Sequence, residues 1–240
     1  MLREEKLIFN NKEYLLKIYV ERRRSTYMSI GRNINIRVPK FFSEKAREEQ
    51  INNMKLKLID YLKKDPEKYA PISSRKYVSG EIIEIFDRKY ILTIQKENRK
   101  TSLAKIKENQ IILKIPDNLL NEDKIISKLI GKILSKELLP LLKDKVNFFN
   151  DLYFKQNIKS ISLKNNISKF GSCSYDKKLV FSTSLLLARK DVIDYVIIHE
   201  LCHTIHHNHS KRFWKLVEKF VPDHKEKSKW LRENRAKLII

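Results

Sequence analysis

All six histidines of this 240-residue chain lie between His199 and His224. The run HELCH begins at His199 and ends at His203, and residues four apart share one face of a helix. Two imidazoles on one face can bind a single ion, and the adjacent carboxylate of Glu200 can then accept a proton from water. Because imidazole ligands favour zinc over magnesium, the pattern predicts a Zn²⁺ site.

A third ligand must come from outside this helix. His206 lies seven residues from His199, which is roughly 10 Å along a straight helix. Ligands that bind one ion at about 2.0–2.1 Å cannot span that distance. Ser210 suits the cap of a following helix, so the chain is expected to reverse just before it. His209 falls in this reversal and is the favoured third ligand, with His207 as the runner-up.

Three helices are predicted to position these histidines. Apolar residues at helical spacing before His199, from Val192 to Ile198, predict a buried helix. A second helix is expected after Ser210. A last helix opens at Asp223, whose spacing to an acidic residue three positions later is typical of a capping box, and His224 is expected on its surface.

The N-terminal half shows a weak internal repeat. Tyr14 matches Tyr90 and Pro39 matches Pro116, an offset of 76 to 77 residues. Each copy predicts β-hairpins with alternating apolar residues, then a proline, then a helix. The basic runs at 22–24 and 96–100 fall at equivalent hairpin tips. The fold class is therefore expected to be α+β, with N-terminal β-hairpin and helix repeats preceding the metal-binding part.

The remaining segments set the predicted domain boundaries. Pro66, Pro71 and a serine pair make residues 65–79 the expected linker. A long helix is expected over about 122–154, with Pro140 kinking or dividing it. Residues 157–187 predict a strand and its hairpin partner on either side of Gly171. We expect an N-terminal unit at 1–78, a similar unit at 79–155 and the metal-binding region at 156–240.

The charge of the chain is strongly positive. There are 51 Lys and Arg residues against 29 Asp and Glu, which gives a formal net charge of +22. Such a field attracts polyanions, so non-specific nucleic-acid or nucleotide contact through a basic surface is one hypothesis. A composition biased towards lysine, with only four glycines, is the alternative explanation.

Cysteine content and hydropathy indicate the compartment. Cys173 and Cys202 are too few for a disulfide framework, and they suit a reducing environment. The N-terminal residues lack the apolar segment of a secretory signal, and no apolar run approaches the roughly 20 residues that span a bilayer. These features predict a cytoplasmic protein with no membrane partner.

Several segments together resemble the YgjP-like metallopeptidase family, which is related to the SprT-like zincins. They are the HELCH run, the Asn208-His209-Ser210 and Phe213-Trp214 segments, and KFGSCS at 169–174, where the family has RWGSC. Lys169 and Phe170 replace the arginine and tryptophan of that motif. The resemblance implies a zincin-like domain with an HExxH active-site helix, and a zinc-dependent metallopeptidase that acts on polypeptides.

The favoured hypothesis is a hydrolase in which His199, His203 and His209 bind zinc and Glu200 is the general base. One alternative uses the same centre to hydrolyse a nucleotide phosphoanhydride. The lack of a glycine-rich phosphate loop counts against it. Another alternative is a nucleic-acid-associated protein with structural zinc, against which Glu200 counts, because a structural site needs no base.

Overall fold

The computed structural model describes residues 3–30, 33–66, 69, 75–86, 88–166, 169–235 and 237–238. The protein is mixed α+β, and its described part contains three small sheets and five α-helices. It divides into two compact units, Met1–Ser73 and Ser74–Ile240. Much of the expected linker at 65–79 lies outside the described residues. The finer division of the second unit stays a prediction.

The first unit is one sheet and one helix. Its elements are β1 (Arg3–Phe9), β2 (Lys12–Glu21), β3 (Tyr27–Ile30), β4 (Ile34–Pro39) and α1 (Glu44–Lys64). The strand order is β1-β2-β4-β3, in which β2 and β4 are parallel and the other pairs are antiparallel. Alternate residues of the central strands, such as Leu16 and Ile36, are buried against Ile51, Leu58 and Leu62 of α1. The Ser43 hydroxyl caps α1 by accepting a hydrogen bond from the Ala46 N–H.

The second unit begins with a sheet of the same topology. Its strands are β5 (Ile82–Ile85), β6 (Arg88–Glu97), β7 (Leu103–Lys107) and β8 (Gln110–Pro116), in the order β5-β6-β8-β7. Again the two central strands are parallel and the outer pairs are antiparallel. Leu92 and Leu113 of the central strands are fully buried, as their counterparts in the first sheet are.

The basic runs do not sit at hairpin tips. Since β2 neighbours β1 and β4, the segment around 22–24 crosses over from β2 to β3 instead of closing a hairpin. The run at 96–100 likewise joins β6 to β7, which are not neighbours. The prediction of hairpin tips was wrong because strand pairing depends on contacts between segments distant in sequence, which alternation alone does not reveal.

Helix α2 (Glu122–Phe149) follows the second sheet and continues through Pro140. Of the two outcomes expected at Pro140, a kink or a division, division of the helix does not occur. A stripe of buried residues runs on both sides of Pro140, including Ile130, Leu134, Leu138 and Leu142, and its packing outweighs the loss of one backbone hydrogen bond. A π-helical turn at Asn150–Phe154 ends the helix, and the Asn150 side chain bonds both the N–H and the carbonyl of Gln156.

A small third sheet follows, with β9 (Ser160–Lys164), β10 (Gly171–Cys173) and β11 (Lys178–Ser182) in the order β10-β11-β9. Strand β11 pairs in parallel with β9, so the predicted hairpin between these two segments was wrong. The hairpin is formed by β10 and β11, because a tight turn at Ser174–Lys177 joins them. Strand β10 therefore lies at the edge of the sheet.

Three helices complete the second unit: α3 (Lys190–Cys202), α4 (Lys211–Phe220) and α5 (His224–Asn234). Helix α3 is the most deeply placed, with Val192, Ile193, Ile197 and Leu201 fully buried in the core of the unit. In the described part of the chain, no helix combines the length and the apolar character needed to cross a membrane.

Candidate metal centre

The last turn of α3 carries the first polar residues of the site. His199 and Glu200 lie within the helix, which ends at Cys202, and His203 is its C-cap. The His203 N–H still bonds the His199 carbonyl, and the chain then turns, before the reversal that was expected at Ser210. The four-residue spacing nevertheless keeps both imidazoles on one face, with ring centroids 5.0 Å apart.

His209 reaches the same point from outside the helix. Its Nε2 lies 3.3 Å from the Nε2 of His199, and one ring nitrogen from each of His199, His203 and His209 lies within 4.8 Å of the others. Two ligands at tetrahedral angles around zinc, each bonded at about 2.0–2.1 Å, are separated by about 3.3 Å. The structure therefore brings together the three histidines selected by their spacing, at separations that suit one ion.

Helix α4 fixes the position of His209. The Ser210 hydroxyl accepts a hydrogen bond from the Phe213 N–H, so α4 begins directly after the histidine. The fully buried Phe213 ring contacts all three imidazoles, with centroids 4.9, 4.4 and 4.8 Å from His199, His203 and His209. The Phe213 side chain thus packs against all three imidazoles of the cluster.

A backbone carbonyl fixes the tautomer of His203. The His203 Nδ1–H donates to the carbonyl of His206 at 3.0 Å. Its Nε2 is then the unprotonated nitrogen, which is the form that can bind a metal ion. His206 therefore contributes its main chain to the site, and its own ring is not part of the cluster.

The two other histidines lie elsewhere. His207, the alternative third ligand, packs on Tyr175 with ring centroids 4.3 Å apart. His224 is only 6% exposed and stacks on Trp214, so its expected place on the helix surface was wrong. The prediction failed because the residues on either side of His224 are polar and gave no indication that the first turn of α5 packs inward.

Burial keeps His199 and His203 neutral. Removal from solvent, reinforced by the nearby His203 and His209 rings, lowers the pKa of His199 to about 3. Burial also lowers the pKa of His203. Both rings are consequently uncharged at neutral pH in the metal-free protein, which is the state that binds metal ions without first releasing a proton.

Glu200 is held in an apolar environment beside the cluster. It is 5% exposed, and its Oε2 has no hydrogen-bond partner among the described residues. Burial raises the pKa of Glu200 to about 8, against a weak opposing effect of Lys169. A buried carboxyl without a partner is costly, and such groups are concentrated where a protein uses proton transfer.

Strand β10 passes directly against Glu200. A Cβ atom placed on Gly171 would lie 2.6 Å from Oε1 and 2.7 Å from Cγ of Glu200, closer than such atoms can approach. Any larger residue at this position would force the Glu200 side chain to move, because the β10 backbone lies in direct contact with it. Spacing alone missed this role, although Gly171 is one of only four glycines in the chain.

The two cysteines are free thiols without a place in the cluster. Burial and the nearby Glu200 raise the pKa of Cys173 to about 11 and that of Cys202 to about 12. Both are therefore protonated at neutral pH and poor nucleophiles.

The donor set fits a divalent ion of the zinc type. Three imidazoles converge, and a carbonyl fixes the tautomer of one of them. A carboxyl group with an oxygen that has no partner among the described residues lies next to them. A catalytic zinc site usually has three protein ligands and leaves a fourth position to solvent or substrate.

Comparison with known proteins places the chain among metallopeptidases. The sequence model of a family described as "YgjP-like, metallopeptidase domain" matches residues 22–234. No curated protein matches the chain. A solved structure titled "Crystal structure of the metallopeptidase zymogen of Pyrococcus abyssi abylysin" is similar, with 22% identity and a TM-score of 0.35, over 38% of this chain and 90% of that one. The family match includes the whole histidine cluster, Glu200 and Gly171.

Proposed function

The chain belongs to the YgjP-like metallopeptidase family, and from this premise we propose that it is a zinc-dependent peptidase. In this proposal His199, His203 and His209 bind the ion, and Glu200 is the general base. The observation that carries it is the convergence of three imidazoles beside a buried carboxyl group whose Oε2 has no hydrogen-bond partner among the described residues.

The ion would supply a positive charge that polarises a peptide carbonyl and makes a water molecule more acidic. The residues of the chain supply the rest. Glu200 accepts the proton of the attacking water at its carboxylate and returns it to the departing amine. In the metal-free protein burial raises the pKa of Glu200 to about 8, and the positive charge of a bound ion would favour the ionised form that a base requires.

Strand β10 is the proposed binding edge for the substrate. It lies at the edge of its sheet, and Gly171 brings its backbone against Glu200. An extended peptide that pairs with this edge would gain main-chain hydrogen bonds and be held next to the base. A polypeptide is therefore the substrate class that we favour.

Hydrolysis of an unstructured polypeptide by the zinc-loaded full-length chain tests the proposal. We expect new amino termini to appear, and Glu200→Gln to lower their rate of release by about 100-fold or more, since that change removes only the base. Glu226→Gln, on α5, is the matched control and should act like the unaltered protein. A parallel nucleotide panel tests the alternative: phosphate release without polypeptide cleavage would overturn the peptidase assignment.

We also propose that the first unit contacts nucleic acid without sequence preference. Arg22, Arg23 and Arg24, on the β2–β3 crossover, line one cavity of about 450 Å³ with Lys40 and the exposed ring of Phe41. Converging cations attract phosphates, and an exposed aromatic ring offers a base a surface for stacking.

Both free cysteines suit a reducing compartment, and we propose that the enzyme is cytoplasmic.

A further inference from the structure

The side chains of β10 that face the histidine cluster are small and uncharged. Alternate residues of a strand point to the same side, so Gly171 and Cys173 share one face. Gly171 lies against Glu200, and the Cys173 thiol is close enough to Glu200 for this carboxylate to contribute to its raised pKa. Neither residue carries a charge at neutral pH. The wall that β10 contributes beside the proposed base is therefore apolar.

The main chain of β10 offers hydrogen bonds at its free edge. Phe170 and Ser174, on either side of the strand, form main-chain hydrogen bonds with the neighbouring strand β11 and its turn. Residues of an antiparallel strand direct their N–H and carbonyl groups alternately to one side and the other. Gly171 and Cys173 therefore direct theirs away from β11. A peptide that pairs with this edge would bond to the two residues that face the cluster.

An exposed aromatic ring lies at the end of this edge. Tyr175 follows β10 in the turn to β11 and is 82% exposed, and its ring packs on that of His207 at a centroid distance of 4.3 Å. His207 belongs to the loop that presents the cluster, four residues after His203 and two before His209. The Tyr175–His207 pair thus joins the proposed binding edge to this loop.

Hydrogen bonds fix the turn that carries Tyr175. The Lys177 N–H donates to the Ser174 carbonyl at 2.9 Å, and the Lys178 N–H donates to the Ser174 hydroxyl at 3.1 Å. The ammonium group of Lys177 also donates to Oε1 of Gln156, at 2.9 Å, which ties the turn to the segment after α2. A ring that is already held in position loses little freedom when a ligand packs on it.

We infer that Tyr175 and His207 form a subsite that selects a large apolar side chain of the peptide substrate, aromatic above all. This inference rests on the proposed peptidase function and specifies its substrate. The exposed Tyr175 ring offers a surface for stacking, and aromatic pairs contribute more than the apolar area that they bury. Because the cluster-facing residues of β10 are uncharged, a charged side chain would lose hydration there without gaining a partner.

The position of the ring relates this subsite to the scissile bond. Glu200 lies against Gly171, so the bond to be cleaved is expected opposite that residue. Tyr175 is four residues further along the chain. Since an extended peptide advances about 3.3 Å per residue, the selected side chain lies within about four residues of the scissile bond. It precedes the bond if the peptide pairs antiparallel to β10 and follows it if the pairing is parallel.

Hydrolysis of matched peptides tests the selection. The series carries Phe, Leu, Ala, Lys or Glu at each of the four positions on either side of the scissile bond, in an otherwise constant sequence. We expect kcat/KM at one of these positions to be about tenfold higher for Phe than for Ala, the effect of one buried aromatic contact, with Leu between them. Equal rates at every position, or a preference for Lys or Glu over Phe, would overturn the inference.

Substitutions locate the selection. Tyr175→Ala should bring the ratio of Phe to Ala rates close to one, whereas Tyr175→Phe keeps the ring and should retain the ratio. His207→Ala removes the ring on which Tyr175 packs and should lower the ratio, with bound zinc unchanged. Tyr27→Ala removes an exposed tyrosine of the first unit and is the matched control. A ratio that survives Tyr175→Ala, or falls equally in Tyr27→Ala, would contradict the subsite.

A binding measurement separates this inference from the peptidase proposal. The full-length, zinc-loaded Glu200→Gln variant is titrated into dye-labelled octapeptides of serine and alanine that carry one central Phe or Ala, and fluorescence anisotropy is recorded. We expect the Phe peptide to bind about tenfold more tightly, and Tyr175→Ala in the same background to remove the difference. That result would stand even if no peptide were cleaved. Polypeptide cleavage by the unaltered protein together with equal affinities for the two octapeptides would refute the subsite alone.

Discussion

His209 differs from the other two histidines of the cluster because it is exposed and comes from a turn, not from a helix. Loss of its ring therefore removes a proposed ligand with little effect on the core. We expect His209→Ala to reduce bound zinc per chain sharply, as measured by elemental mass spectrometry. His206→Ala should retain the metal, because only the carbonyl of His206 contacts His203. Loss of zinc in His206→Ala and not in His209→Ala would refute the ligand assignment.

The buried carboxyl of Glu200 predicts a dependence of stability on pH in metal-free protein. Unfolded Glu200 ionises above about pH 4.5, whereas the folded group stays protonated until about pH 8. Between these values the unfolded state binds fewer protons, so Glu200 lowers the free energy of unfolding as pH rises, by up to about 1.4 kcal/mol per pH unit.

Glu200→Gln removes this effect. With a chelator present, its melting temperature should exceed that of the unaltered protein by an amount that grows from pH 5 to pH 8. The ionisation of His199 is common to both proteins and cancels in the comparison. A difference that does not vary with pH would show that Glu200 is not buried as a carboxyl.

At the scale of single residues, sequence spacing predicted most of the candidate site. The positions of His199, His203 and Glu200 follow from the geometry of any helix, and the chain reversal before Ser210 follows from its capping preference. His224 was misplaced because a short polar helix does not reveal which face packs inward. Asp223 begins α5 as expected, but its carboxylate pairs with Lys227 and does not cap the helix.

At the scale of elements, the contact between β10 and α3 has a direct test. Gly171→Ala would place a methyl group within 3 Å of the Glu200 carboxylate and displace it. A shift of about 1 Å in a catalytic group can cost about 100-fold in rate, so we expect kcat to fall at least tenfold with zinc content unchanged. Ser172→Ala, one residue along the strand, is the control. Full activity in Gly171→Ala would exclude tight positioning by β10.

Local patterns predicted the elements better than their pairing. Alternating apolar residues located the strands of both four-stranded sheets, and Ser210 marked the start of α4. The parallel pairs β2–β4, β6–β8 and β9–β11 were missed, because each joins segments separated by an intervening strand. Such partners are chosen by burial of a shared face, which depends on the whole unit.

At the scale of the whole molecule, the net charge of +22 requires a test that separates a site from a diffuse field. If the crossover at 22–24 binds single-stranded DNA, Arg22→Glu/Arg24→Glu should weaken binding and reduce the slope of log affinity against log salt. Lys57→Glu/Lys63→Glu makes the same charge change on exposed positions of α1. Fluorescence anisotropy over a range of salt concentrations measures both. Equal losses would indicate a diffuse field and contradict a dedicated site.

The two units have separate hydrophobic cores, one around α1 and the other around α2 and α3. Every residue of the histidine cluster belongs to the second. Zinc binding should therefore stabilise only the second unit. At free zinc of roughly 100 times Kd, binding adds about 2.7 kcal/mol to the free energy of unfolding of that unit alone. Calorimetry should resolve two transitions, of which a chelator lowers one and leaves the other at its original temperature.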